Sequence, residues 1–149
     1  MKLLISGLDC AEPKLVFDCK DELPNLKKII DTGAYGKLRS THPPITVPAW
    51  AVMMSGKDPG QLGYYGFRNR KDYSYDGYEI VNATAVKHDR AWDILSRAGK
   101  KIVLPRCSSN LPHPKPLNGC VVSGFLAPPT DSNYTYPIAL KDGIEEVSG

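Results

Sequence analysis

Thr46 stands in the run Pro43-Pro44-Ile45-Thr46-Val47-Pro48-Ala49-Trp50, where three prolines forbid both a helix and a central strand up to residue 48. From Pro48 onward, Ala49-Trp50-Ala51-Val52-Met53-Met54 reads as a helix with Gly56 at its end. Thr46 therefore falls at, or one residue from, the N-cap. A hydroxyl there lies beside unpaired backbone N–H groups and the positive end of the helix dipole, so it can meet a phosphate or simply cap the helix. Asp9 closes the apolar run Leu3 to Leu8, and a carboxylate at a strand end can ligate a metal or cap the next turn. Asn69, flanked by Arg68 and Arg70, can hold phosphate oxygens or belong to a solvated loop.

The elements that must position these groups alternate in type. Leu3 to Leu8 suits a buried strand of a parallel sheet, followed by a loop containing Pro13. A helix is expected with Pro24 in its first turn, Leu26, Ile29 and Ile30 on one face, and Gly33 as its stop. Tyr35 to Arg39 suits a short strand. Residues 57 to 88 are rich in Gly, Tyr, Asp and Asn and predict a long functional loop with one hairpin near Tyr73 to Ile80. Asp89 is expected to cap a helix from Arg90 to Ala98, and a strand from Lys101 to Leu104 follows. A Pro-rich connection, 105 to 118, leads to a strand from Gly119 to Phe125, and Leu140 to Val147 is weakly helical. The order points to a three-layer α/β fold with ligands at the carboxyl ends of its strands.

Composition narrows the classes. The chain has 149 residues, 42% hydrophobic and 23% charged, which is globular rather than disordered. A net charge of +3 with no run of five or six like charges gives no footprint for nucleic acid. No apolar stretch approaches a membrane span, and Asp9 interrupts the opening run too early for a signal peptide. A soluble, cytoplasmic protein is expected. The four cysteines, at 10, 19, 107 and 120, form no C-x-x-C pair and read as plain thiols, with Cys120 buried in a strand. His42, His88 and His113 stand in no Asp-His pairing, so none is read as a ligand. Tyr64, Tyr65, Tyr73, Tyr75 and Tyr78 could form an aromatic recognition surface or serve as ordinary strand residues.

Taken together, the sequence resembles the alkaline phosphatase superfamily, and within it the type I phosphodiesterase/nucleotide pyrophosphatase-like phosphohydrolases and phosphomutases. The resemblance rests on Gly7-Leu8-Asp9, Leu23-Pro24-Asn25-Leu26 with Gly33-Ala34, Pro43 to Trp50, and Ser55-Gly56-Lys57-Asp58-Pro59-Gly60. Trp92-Asp93-Ile94-Leu95 to Gly99-Lys100 and Val121 to Pro128 add to it. It implies an α/β/α fold with a mostly parallel sheet, a phosphate-ester substrate, and two divalent ions, Zn or Mn. Asp9 would bind a metal. Thr46 would ligate a metal and act as the nucleophile through a covalent phosphothreonine. Val47 would contact the substrate, and Asn69 is expected to do so on its own chemistry.

The chain also departs from the pattern. Leu62-Gly63 stands where many relatives carry His-Gly, and Phe67 where nucleotide pyrophosphatases carry an oxyanion-side Asn, with Asn69 two positions on. The family needs about six metal ligands, several of them beyond the nucleophile, and they are missing here. Residues 1–149 are therefore expected to be the N-terminal part of a single, longer phosphohydrolase domain. A cofactor-independent phosphomutase and a non-catalytic anion-binding module are the alternatives.

Overall fold

The computed structural model describes residues 2–81, 85–107, 116–124 and 131–148. The chain divides into two units, Met1–Ser40 and Thr41–Gly149.

In the first unit, the expected strands at Leu3–Leu8 and Tyr35–Arg39 are absent. Both runs lack regular structure and are exposed throughout. A strand is defined by its hydrogen-bonded neighbour, and no described strand pairs with either run. The loop expected around Pro13 is instead helix α1 (Pro13–Asp18). Pro13 occupies its first turn, and the Glu12 carboxylate accepts from Lys14 N–H at 3.0 Å. A 3-10 turn, Lys20–Glu22, leads to α2 (Pro24–Thr32), which starts on its proline and stops at Gly33 as its punctuation predicts. Lys27 pairs with Asp31 at 3.3 Å and Asp21 at 3.4 Å, and these hydrogen bonds hold its ammonium above the usual lysine range. Phe17 and Tyr35 meet at a tilt of 47°, with 5.5 Å between ring centroids.

The second unit opens with α3 (Thr46–Ser55), two residues earlier than Pro48 suggests. Proline is compatible with a first turn, whose N–H groups have no partner within the helix. Gly56 ends the helix at φ 66°, a left-handed position that favours glycine. The 57 to 88 segment is more regular than a loop. It holds α4 (Pro59–Leu62), capped reciprocally by Asp58 and Gln61, and a hairpin of β1 (Arg68–Arg70) and β2 (Tyr78–Ile80). Helix α5 (Ala91–Arg97) follows.

The expected cap of α5 is displaced by one residue. Arg90 is the N-cap, and the Asp93 carboxylate accepts from its backbone N–H at 2.9 Å. Asp89 pairs with Arg97 instead, because the buried Asp93 already fills the capping role. Strand β3 (Ile102–Cys107) runs parallel to β4 (Gly119–Ser123), and β5 (Thr135–Tyr136) adds antiparallel to β4. Gly119 has φ 153°, and a Cβ there would collide with the Ile102 backbone, so glycine sets how closely β3 and β4 approach. The end of the expected strand at Phe125 lies outside the described residues, as does His113. Helix α6 (Leu140–Ser148) matches its weak signal.

The sheets are small and mixed rather than mostly parallel: among the described pairings only β3 with β4 is parallel. A two-residue strand such as β5 pairs through its neighbours, not through a local pattern, so composition could not foresee it. Two apolar clusters form the core of this unit. Val47, Leu62, Tyr64, Val81 and Val86 make one, and Trp92, Ile102, Leu117 and Val121 the other. Cys120 is half-buried rather than buried, since its side chain alternates with the buried Val121 along β4. Cys10 and Cys19 are exposed free thiols. Among the described residues, no helix is long and apolar enough to cross a membrane.

Candidate functional site

Thr46 is the first residue of α3, with Ile45 as the N-cap in extended conformation. It sits one residue inside the cap, so its hydroxyl does not take the usual capping position. The two residues behind it, Val47 and Pro48, are the buried ones of the helix, and they seat its start in the core. Val47 belongs to the cluster of Leu62, Tyr64, Val81 and Val86, with Phe67, Ala51 and Val52 packed against it. A helix start anchored this way holds the Thr46 backbone in one place relative to the hairpin that follows.

The first turn has an unusual donor set. Pro48 carries no N–H, and Ala49 N–H already donates to Ile45 O at 3.0 Å. Neither Pro48 nor Ala49 therefore donates toward an anion from the first turn. The proline at this position was legible in the sequence. Its effect on the donor count required knowing where the helix starts.

Asn69 lies in β1 rather than in a solvated loop. Its Nδ2 donates to Gly63 O at 3.0 Å, which ties the hairpin to the end of α4. The hairpin is rooted in the Val47 cluster through Phe67 and Val81, joined by Val81 N–H to Phe67 O at 2.9 Å. The structure thus brings Val47 and the hairpin that carries Asn69 into one packed unit. Within the cluster, burial pushes the Tyr64 hydroxyl up to about 12, against a smaller opposing pull from Arg90. Tyr64 is a core tyrosine, not the surface one that the tyrosine count suggested.

Asp9 lies in the first unit, exposed, at a turn rather than at a strand end. The next residue, Cys10, has φ 58°, an uncommon value for a side-chain-bearing residue, and its carbonyl accepts from Glu12 N–H at 2.8 Å. Nothing in residue type announces that turn. His42 is exposed, and His88 Nε2 lies 3.1 Å from Gln61 O, a contact to backbone rather than to another candidate ligand.

The metal expectation meets a plain difficulty. Among the described residues, no three His, Cys, Asp or Glu side chains gather where they could hold an ion. The donor set present does not fit a two-metal centre, which needs three or more side chains on each ion.

Comparison with known proteins places these features in context. No curated protein and no solved structure matches the chain. The family model for type I phosphodiesterase / nucleotide pyrophosphatase matches residues 3–136, a stretch that includes Asp9, Thr46, the hairpin and all three strands of the mixed sheet. Covering nearly the whole chain, that match makes this protein a member of the type I phosphodiesterase / nucleotide pyrophosphatase family.

Proposed function

We propose that this chain carries the nucleophile of a phosphoester hydrolase, with Thr46 attacking phosphorus. The observation that carries the reading is the position of Thr46 as the first residue of a helix anchored by Val47 and Pro48, inside the matched segment. Thr46 Oγ forms the bond to phosphorus and gives its proton to solvent, and the ester oxygen departs with its electron pair and takes up a proton. Water then attacks phosphorus, breaks the Oγ–P bond of the phosphothreonine, and restores the Thr46 hydroxyl. The N–H groups of Thr46 and Val47, at the positive end of the α3 dipole, hold the phosphoryl oxygens. Asn69 supports the substrate side through the hairpin. Asp9 is read as a metal ligand. The chain is read as the N-terminal part of one longer α/β/α domain, acting in the cytoplasm.

The test is hydrolysis of bis-p-nitrophenyl phosphate by the full protein with Zn²⁺ or Mn²⁺ added. Thr46→Ala should lower turnover by roughly a thousandfold or more, and Thr46→Ser should keep part of it. Full activity in Thr46→Ala would end the nucleophile assignment. Turnover of 3-phosphoglycerate in place of the diester would favour a phosphomutase. The absence of a three-ligand group among the described residues favours one second reading, a non-catalytic module. It would bind phosphate without metal and turn over neither substrate.

A further inference from the structure

The hairpin of β1 and β2 has features that hydrolysis does not require. Its ladder pairs Arg68 with Ile80, Asn69 with Glu79, and Arg70 with Tyr78. The flanking bonds are Val81 N–H to Phe67 O at 2.9 Å and Lys71 N–H to Gly77 O at 3.0 Å. In an antiparallel pair such bonds recur at every second residue, so Asn69 turns its backbone groups toward β2. Arg68 and Arg70 then turn theirs away, to the outer edge of β1. Among the described residues no strand pairs with that edge.

Side chains alternate in the same register. Asn69 is half-buried and tied to Gly63, whereas Arg68 and Arg70 are exposed and share the other face. The Arg70 guanidinium lies over the Tyr75 ring, 4.5 Å from its centroid, which limits its rotamers before any partner arrives. Tyr78 and Ile80 stand beside the arginines on the same face, 47% and 68% exposed. Arginine and tyrosine are the residue types that most often anchor protein interfaces.

We propose that the outer edge of β1 receives a third strand from an acidic partner polypeptide, an extended segment with carboxylates at alternate positions beside Arg68 and Arg70. Strand addition supplies the backbone bonds, and the two arginines select the charge pattern. A spacing of two on the partner matches the spacing of two on β1. Other occupants fit less well. Nucleic acid and anionic bilayers present unbroken negative charge that continues past the two arginines to Asp72 and Asp76 in the loop of the hairpin, whereas a short segment with two carboxylates ends beside Arg68 and Arg70. Asp72 stays ionised there, its carboxyl held below the usual range by hydrogen bonding from Ser74. A second copy adding edge to edge about a two-fold axis would set arginine beside arginine. This inference does not depend on the role of Thr46.

The experiment is fluorescence anisotropy of a labelled peptide of alternating glutamate and leucine, titrated with the chain. Peptides alternating serine or lysine with leucine, an oligothymidylate and phosphatidylserine vesicles serve as comparators. The glutamate peptide should bind roughly tenfold tighter than the serine peptide. The R68E/R70E double variant should lose that preference and favour the lysine peptide. R68Q/R70Q should abolish the preference without reversing it, and circular dichroism should show both variants folded. Amide exchange at Arg68 and Arg70 should slow when the peptide binds. Equal binding of the glutamate and serine peptides, a preference that survives R68E/R70E, or tighter binding of the oligonucleotide or vesicles would overturn the proposal.

Discussion

Removing the Asp93 carboxylate should destabilise the second unit more than any surface change. Asp93 Oδ2 lies 3.2 Å from Arg90 Nε, and the two side chains are 2% and 4% exposed. The same oxygen accepts the Arg90 backbone N–H at 2.9 Å and so caps α5. Asp93→Ala breaks a buried ion pair, which costs about 3–5 kcal/mol, and removes a cap of about 1 kcal/mol. The two effects share an oxygen and do not add fully, so a loss of about 4 kcal/mol is expected. Typical domains have about 5–15 kcal/mol in total, so the variant should lie near its unfolding threshold.

Urea unfolding followed by tryptophan fluorescence measures this directly, because Trp92 lies between the two residues and packs beneath the Arg90 guanidinium at 5.1 Å. The double variant Arg90→Met/Asp93→Leu should recover most of the loss, since a buried pair can be replaced by apolar groups of similar volume. Asp31→Ala, which breaks an exposed pair with Lys27, should leave the transition unchanged. If Asp93→Ala stays within about 1 kcal/mol of the parent protein, the pair is not buried as described and the reasoning fails.

Two further outcomes are expected. The Tyr64 hydroxyl, pushed up to about 12 by burial, stays protonated in the fold after an unfolded tyrosine, near 10, has ionised. Its stabilising effect is complete below pH 10 and declines between pH 10 and 12, by up to about 2.7 kcal/mol. Tyr64→Phe should therefore lose less stability than the parent over that window, and parallel alkaline denaturation curves would contradict it. Gly119→Ala places a methyl against the Ile102 backbone at a φ that L-residues avoid, and should cost more than about 2 kcal/mol. Gly36→Ala meets nothing within 4 Å and should unfold with the parent protein.

Local chemistry explains what was legible. Helices α2, α3 and α6 carry their own punctuation or amphipathic period, Pro24 and Gly33 on α2 and Gly56 after α3, and so could be read without knowing the fold. Strand β3 follows a helix and a glycine in the order that an α-to-β step requires, and β4 is an apolar run after a Pro-rich connection. What failed depended on partners distant in sequence. Leu3–Leu8 has the apolar character of a buried strand, but character does not supply a neighbour. The cap of α5 went to Arg90 because a carboxylate three residues on reaches back, a bond invisible to a search for small polar caps. For the site, the place of Thr46 at or one residue from the N-cap was legible, although the helix begins two residues before Pro48. The place of Asn69 in a strand, and the two arginines beside it, depended on the hairpin register.

The run from Leu3 to Leu8 has one more consequence, for handling rather than for chemistry. It is apolar, exposed, uncharged and free of proline, which is the make-up of segments that seed intermolecular cross-β association. Lys2 and Asp9 bracket it, one charge of each sign, in the manner of gatekeepers. Charge of that kind acts over a Debye length, about 30 Å at 0.01 M salt and 3 Å at 1 M. In a parallel, in-register stack each charge meets its own kind, so salt that screens this repulsion should promote that association, and the isolated chain should keep best in dilute buffer.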